Sequence, residues 1–322
     1  MKKSGSHIYH LILLFLYTQS IFSQELFPTT EPASNIPKGV IGLRTFAESY
    51  KEGGLLRNMG AIRLMYGLSS KLSVYVQGTV SNHHDSILPA DIITHKHIGN
   101  QTIYYTQNRV YGTRYPYSFN GGYVYAKYRF YSKDEENKHL RVAVYAEASK
   151  IKAAHDEAEP TLTDDCSGWG AGLIVTQLYK RFAASLTTGY IKPDHYSEFK
   201  RGYATSIYYG NALVYNLSFG YRIYPKKYIS YYQDNYNIYV ELMGKSYAQG
   251  RVFINGESIP VQSSSLKAGN YLESHFGIQR IINSNTRLDF TMVLPFLGQS
   301  FVHFYPLYTF GWQYYFYPRR KK

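Results

Sequence analysis

Cysteine is almost missing from this chain: Cys166 is the one cysteine in 322 residues. A single cysteine excludes an internal disulfide, and its distance from the N-terminus excludes a lipidated first residue. Acidic residues are also scarce, 22 Asp and Glu against 35 Lys and Arg, for a formal charge of +13. Loss of Lys2 and Lys3 with a leader would leave +11. Such a balance suits nucleic acid, anionic lipid headgroups or an anion-lined pore. The chain has no zinc finger, ribonucleoprotein motif or basic helix, so nucleic acid is set aside. Long apolar runs are lacking beyond the N-terminus. A mature chain embedded in a membrane would therefore have to be a closed barrel. Finally, there is no G-x-S-x-G, H-E-x-x-H or P-loop, and no Ser–His–Asp/Asn set at one height on a lipid face. No enzyme is expected, and no cofactor is implied.

What the chain does have is tyrosine, 36 of them, in a composition that is 17% aromatic. Tyrosine is wet at one end and apolar at the other, which suits a membrane–water interface. It also has two-residue periodicity. Ile238, Val240 and Leu242 alternate with Tyr239, Glu241 and Met243. Leu288, Phe290, Met292, Leu294 and Phe296 alternate with Arg287, Asp289, Thr291, Val293 and Pro295. One face suits hydrocarbon and the other tolerates charge, the pattern of a tilted strand crossing a bilayer. Arg, Lys and Glu in mid-strand, and no blade repeat, weigh against a soluble sandwich or propeller.

The N-terminus reads as a secretory signal peptide over 1–23: Lys2 and Lys3, then a mostly apolar stretch from Ile8 to Phe22, then Ile21-Phe22-Ser23 as the cleavage site. The apolar stretch is short for a membrane anchor and is interrupted by His10, Thr18, Gln19 and Ser20. Residues 24–38 are expected to be a periplasmic segment, 39–317 the barrel and 318–322 a basic tail. Twelve strands are predicted near 39–48, 57–67, 71–81, 121–131, 139–149, 168–177, 181–191, 208–224, 236–246, 269–281, 286–297 and 306–317. Short polar turns such as Asp134-Glu135-Glu136-Asn137-Lys138 and Asn283-Ser284-Asn285 alternate with longer connections at 82–120, 150–167, 192–207 and 247–268. Turns on one side and loops on the other is the asymmetry of an outer-membrane barrel. The fold class is all-β: an antiparallel up-and-down transmembrane β-barrel of about 12 strands in the bacterial outer membrane.

Three stretches carry a resemblance. Phe310-Gly-Trp-Gln-Tyr-Tyr-Phe-Tyr317 resembles the C-terminal assembly signal of outer-membrane barrels, although Pro318-Arg-Arg-Lys-Lys322 follows it. Tyr66-Gly-Leu-Ser-Ser-Lys-Leu-Ser-Val74 resembles their strand–turn–strand pattern. Glu31-Pro-Ala-Ser-Asn35 resembles the start of a group of uncharacterised, transporter-like barrels of Gram-negative bacteria. That group is distantly similar to the hydrocarbon-uptake barrels of aromatic-degradation pathways. The resemblance implies transport, with outer-membrane lipid, lipopolysaccharide and the barrel-assembly machinery as partners. It brings no binding motif.

By alternation the lumen is expected to hold Arg44, Arg63, Lys127, Arg129, Arg141, Arg222, Lys245 and Arg287, with Glu147, Glu241, Glu273, His275 and Asp289. The cation excess favours passive passage of a small anionic or aromatic solute. The alternatives are a closed, salt-bridged barrel with a structural or surface-interaction role, and a lipid hydrolase. His83, His84, His95 and His97 are weak metal candidates, because their spacing matches no standard site. His155, Asp156, Glu157, Glu159, Asp164 and Asp165 read as a solvated acidic loop. Tyr228 to Tyr236 reads as an aromatic girdle rather than a partner-docking segment.

Overall fold

A computed structural model describes residues 27–52, 55–82, 95–98, 101–104, 117–152, 159–200, 203–227, 230, 232–261, 266–300 and 303–318. Residues 1–26, which include the expected signal peptide, lie outside them, as do Arg319 to Lys322. Eighteen strands are seen among the described residues. In the first half are β1 (Ile41–Glu52), β2 (Leu55–Gly67), β3 (Leu72–Ser81), β4 (His95–Ile98), β5 (Gln101–Tyr104), β6 (Ser118–Glu135), β7 (Lys138–Ile151), β8 (Gly168–Tyr179) and β9 (Phe182–Pro193). The second half contains β10 (Tyr196–Lys200), β11 (Tyr203–Tyr208), β12 (Ala212–Tyr224), β13 (Asn235–Tyr247), β14 (Arg251–Ile254), β15 (Glu257–Ile259), β16 (Gly269–Ile282), β17 (Thr286–Leu297) and β18 (Leu307–Phe316).

Twelve of these close an antiparallel barrel in the order β1, β2, β3, β6, β7, β8, β9, β12, β13, β16, β17, β18, with β18 paired back onto β1. Each predicted strand meets one of them. The alternation sets the two faces. On β3, Ser73, Tyr75, Gln77 and Thr79 are buried inward, while Val76 and Val80 are exposed outward. The outward face of the other strands is apolar in the same way, with Ile62, Leu64, Leu213, Ile278 and Phe310 all exposed. Such a surface is stable against hydrocarbon and not against water.

The turn end of the barrel is tight. Glu135 pairs with Lys138, Tyr179 with Phe182, and Ile282 with Thr286. Asn137 and Asn283 adopt positive φ there, which asparagine tolerates better than branched residues. The loop end is elaborated. β10, β11, β14 and β15 form a separate four-stranded sheet from the two connections that flank β12 and β13. The predicted strand 208–224 is therefore two elements. The chain leaves the barrel at Tyr209-Gly210-Asn211, where Gly210 packs so closely on Ala248 that a Cβ would lie 1.7 Å from its carbonyl oxygen. Only glycine permits that approach.

Inside, tyrosines lie flat on glycines of the facing strand. Tyr145 opposes Gly172, Tyr239 opposes Gly220 and Tyr247 opposes Gly269, and on the outward face Tyr215 opposes Gly244 in the same way. The absent Cβ leaves room for the ring against the wall. Tyr75, Tyr125 and Tyr145 continue this lining as a row, with ring centroids 5.2 Å apart at each step and planes within 18°.

Candidate functional site

The lumen is filled from both ends. From the turn end, residues 27–36 run up inside the barrel, so the expected periplasmic segment 24–38 is corrected for this stretch. The physical reason is in its partners. Glu241 accepts hydrogen bonds from the Thr29 amide at 3.0 Å, the Thr30 amide at 3.0 Å and the Thr30 hydroxyl at 2.7 Å. The Ala33 amide donates to Thr176 Oγ1 at 2.8 Å, and the Ile36 amide to Ser73 Oγ at 3.1 Å. Lys127 Nζ donates to the Pro32 carbonyl at 2.6 Å, Arg141 to Ser34 Oγ at 2.9 Å, and Arg44 to the Pro28 carbonyl. A segment without secondary structure thus has many of its backbone groups satisfied by the wall. Phe27, edge-on to Tyr239 at 5.8 Å, and buried Ile36 anchor its two ends.

At the centre of this contact is Glu31. Its carboxylate receives Arg63 Nη1 at 2.6 Å and lies 3.6 Å from Lys127 Nζ. Burial by itself would raise its pKa, but Lys127, Arg63, Arg44 and Arg287 together hold it below the usual carboxylate range. The wall needs this anion. Arg44 and Arg63 stand directly opposite each other across β1 and β2, an arrangement that is unfavourable unless a counter-charge intervenes. Asp289 supplies part of it, 2.8 Å from Arg287 and 3.9 Å from Arg44. Arg63 and Lys127 also lie over the Tyr75 ring, 5.7 and 5.8 Å from its centroid.

From the loop end, residues 159–167 fold inward. Glu159, Leu162, Asp165 and Cys166 are buried. Lys245 Nζ donates to Thr161 Oγ1 at 2.5 Å, Thr79 to the Thr163 carbonyl at 3.0 Å, Ser149 to the Cys166 carbonyl at 2.8 Å, and Ser300 to Glu159 Oε2 at 3.1 Å. The expectation of a solvated acidic loop is corrected for Glu159 and Asp165; His155, Asp156 and Glu157 lie outside the described residues. Burial raises the pKa of Asp164 and, more strongly, of Asp165, where the charges of Asp164 and Glu159 add to the shift. Beside them His303 Nδ1 meets Glu273 Oε1 at 2.6 Å, and the Tyr305 hydroxyl donates to the same oxygen. Burial would lower the His303 pKa; the hydrogen bond and charge of Glu273, with Glu48 and Glu159, instead lift it to about 9.

The expected lumen residues fall as follows. Arg44, Lys127, Arg141, Glu241, Lys245, Glu273, His275, Arg287 and Asp289 are buried. Arg63 and Arg222 are half-buried, as is Glu147, which accepts from the Tyr123 hydroxyl at 2.5 Å. Arg129 sits at the turn-end rim, donating to the Ser70 carbonyl at 2.8 Å. His275 bridges the two ends, 3.5 Å from Glu273 Oε2 and 3.5 Å from Thr29 Oγ1. The interior is thus divided: Arg44, Arg63, Lys127 and Arg287 gather near the turn end, and Glu159, Asp164, Asp165 and Glu273 near the loop end. His83 and His84 lie outside the described residues, and His95 and His97 fall on the hairpin of β4 and β5. Among the described residues no group of three or more His, Cys, Asp or Glu could hold a metal ion. Of the Tyr-rich segment, Tyr232 and Tyr236 are exposed at the turn end, with Arg280 over the Tyr236 ring; Tyr228 and Tyr231 lie outside the described residues. Glu31, Asp165 and His303 were missed as lumen residues. Alternation speaks only for strands, and none of the three is in one.

No protein-family model matches the chain, and neither does any curated protein. Solved structures do. An outer membrane channel from Pseudomonas putida F1 superposes with a TM-score of 0.55 at 13% identity, over 91% of this chain and 100% of that one. The fold is that of an outer-membrane β-barrel. Two further barrels align with TM-scores too low to bear on the comparison: the beta domain of the Bordetella autotransporter BrkA (0.40, 11% identity, 86% of this chain and 98% of that one) and outer membrane phospholipase A from Escherichia coli (0.38, 8% identity, 91% and 94%).

Proposed function

We propose that this barrel gives passive passage across the outer membrane to a small anionic solute, without a chemical step, and that the inward segment 27–36 closes it at rest. The observation that carries this reading is the excess of cations around Glu31: Arg44, Arg63, Lys127 and Arg287 against Glu31 and Asp289. Burying ions costs several kcal/mol each, a cost that a purely bracing interior avoids by filling with apolar side chains. Such a basic layer lowers the barrier for anions and raises it for cations. The resemblance in fold to an outer membrane channel agrees with this reading. Export by the N-terminal signal, insertion by the barrel-assembly machinery and contact with lipopolysaccharide belong to the same reading, with the turn end facing the periplasm.

The second reading is a closed structural barrel, favoured by the complete burial of Lys127 under the inward segment 27–36 and of Glu159 within the inward segment 159–167. Planar-bilayer recordings separate the two. The mature chain and a variant lacking residues 27–36 are compared in a potassium chloride gradient. Passage predicts larger, anion-selective conductance in the deletion variant. Absence of current in both, or cation selectivity, overturns it. Release of fatty acid from a labelled phospholipid above background would instead support a lipid hydrolase.

A further inference from the structure

The charged layer at the turn end is a carboxylate seat that the chain fills with its own residue. Glu31 belongs to the inward segment, not to the wall. The wall contributes Arg63 Nη1 at 2.6 Å and Lys127 Nζ at 3.6 Å to its two carboxylate oxygens, with Arg44 and Arg287 close enough to act on its charge. If the segment left, those four cations would lose the Glu31 carboxylate at their centre, while Asp289 beside Arg287 and Arg44, and Glu147 acting on Arg63, would stay in the wall. A desolvated cation layer of that kind takes up an anion, and a carboxylate fits because one already sits there.

The seat also has an aromatic side. Tyr75 lies under Arg63 and Lys127 and begins the nearly parallel row Tyr75–Tyr125–Tyr145. Ala33 and Ile36 of the segment pack into the same buried cluster as these three rings. Withdrawal of the segment would therefore uncover flat aromatic surface directly beside the cations. A planar ring bearing one carboxylate matches both parts: the carboxylate replaces Glu31, and the ring replaces Ala33 and Ile36 against the tyrosines.

We propose that this seat binds a small aryl carboxylate, that Glu31 occupies it when the solute is absent, and that the solute opens the lumen by displacing Glu31 and with it the inward segment. The proposal rests on the passage reading, and its test keeps the two apart. A ligand that competes with an intramolecular group pays the cost of displacing it, so removing that group strengthens binding.

Isothermal titration of benzoate, cyclohexanecarboxylate and benzamide into the detergent-solubilised mature chain measures this directly. Glu31→Ala changes the segment and leaves the wall intact; heat-modifiable electrophoretic mobility checks that the barrel is folded. Benzoate is expected to bind Glu31→Ala at least tenfold more tightly than the parent. Benzamide, which lacks the charge, is expected to show no such gain, and cyclohexanecarboxylate to bind several-fold more weakly than benzoate. Adding Arg63→Gln to Glu31→Ala is expected to remove the gain. Equal benzoate affinity in the parent and Glu31→Ala overturns the proposal, as does a gain for benzamide or one that survives Arg63→Gln. Cyclohexanecarboxylate binding as tightly as benzoate overturns the aromatic half. Bilayer currents through Glu31→Ala separate the failures: anion current without selective benzoate binding sinks the seat and keeps passage, and benzoate binding without current does the reverse.

Discussion

Glu31 and Arg63 are 32 positions apart, one in a segment without secondary structure and the other in the wall of the barrel, and their side chains meet at 2.6 Å inside the lumen. This contact joins what would otherwise be a sleeve and a loose leader. It neutralises part of a wall in which two arginines stand opposite each other, and it holds the segment in the bore. Four consequences of the architecture can be measured.

Glu241 is the polar anchor of the segment, accepting three hydrogen bonds from Thr29 and Thr30. Glu241→Ala is expected to loosen residues 27–36 while the barrel stays folded. Hydrogen bonds to a charged group contribute about 1.5–3 kcal/mol, so amide exchange in the segment should quicken roughly ten- to hundredfold. Hydrogen-exchange mass spectrometry reads this; unchanged protection at Thr29 and Thr30 would mean that the other contacts of the segment, such as Arg63 with Glu31 and Lys127 with Pro32, hold it without Glu241.

Gly244 exists to accommodate a ring. A Cβ there would lie 2.0 Å from Tyr215 Cε2. Gly244→Ala is expected to destabilise the barrel by about 1–3 kcal/mol through overpacking. The same change made on a Tyr215→Ala background should cost much less, because the clash is with that side chain. Urea unfolding of the four proteins in lipid gives the coupling, and simple additivity would rule the clash out.

His303 gives the loop end a pH dependence. Its pKa rises from an ordinary 6.5 to about 9 on folding, chiefly through Glu273 acting against burial. A raised cation pKa contributes stability that is full below about 6.5 and is lost as pH rises through about 9. The difference in unfolding midpoint between the parent and His303→Ala should therefore shrink between pH 6.5 and 9.5. A difference that stays constant across that window would assign the effect to packing.

Asp165 has the opposite sign. Burial and the neighbouring acids raise its pKa well above the ordinary value. Its charge therefore works against folding at neutral and higher pH, and the penalty fades as pH falls through the raised pKa. Asp165→Asn is expected to stabilise the folded barrel at pH 8 and to have little effect at pH 3.5, where the parent is already protonated. Destabilisation at pH 8 would show that the carboxylate makes hydrogen bonds that an amide cannot replace.

The strands were the legible part. A period of two survives any tertiary context that keeps one face in lipid, so β3, β13 and β17 can be read residue by residue from their alternation. The wall residues of the candidate site follow from the same rule: Arg63, Lys127 and Arg287 fall on the inward parity. The strand predicted at 208–224 is interrupted at 209–211, where the close approach of Gly210 to Ala248 depends on a chain segment 38 positions away. The filling of the lumen was not legible at all. Residues 27–36 and 159–167 have no periodicity, and their partners lie up to 246 positions away. Acidic residues in such a segment look the same in sequence whether they are solvated or buried against lysine and histidine.

By itself the sequence determined the class, the number of strands in the barrel wall, the parity of their side chains and the basic character of the wall, because these depend on local alternation and composition. Only the tertiary structure decided that the bore is filled, and by what. Closing the barrel brings cations from β1, β2, β6 and β17 into one layer, and their mutual repulsion in a desolvated interior makes the carboxylate of Glu31 the group that belongs there.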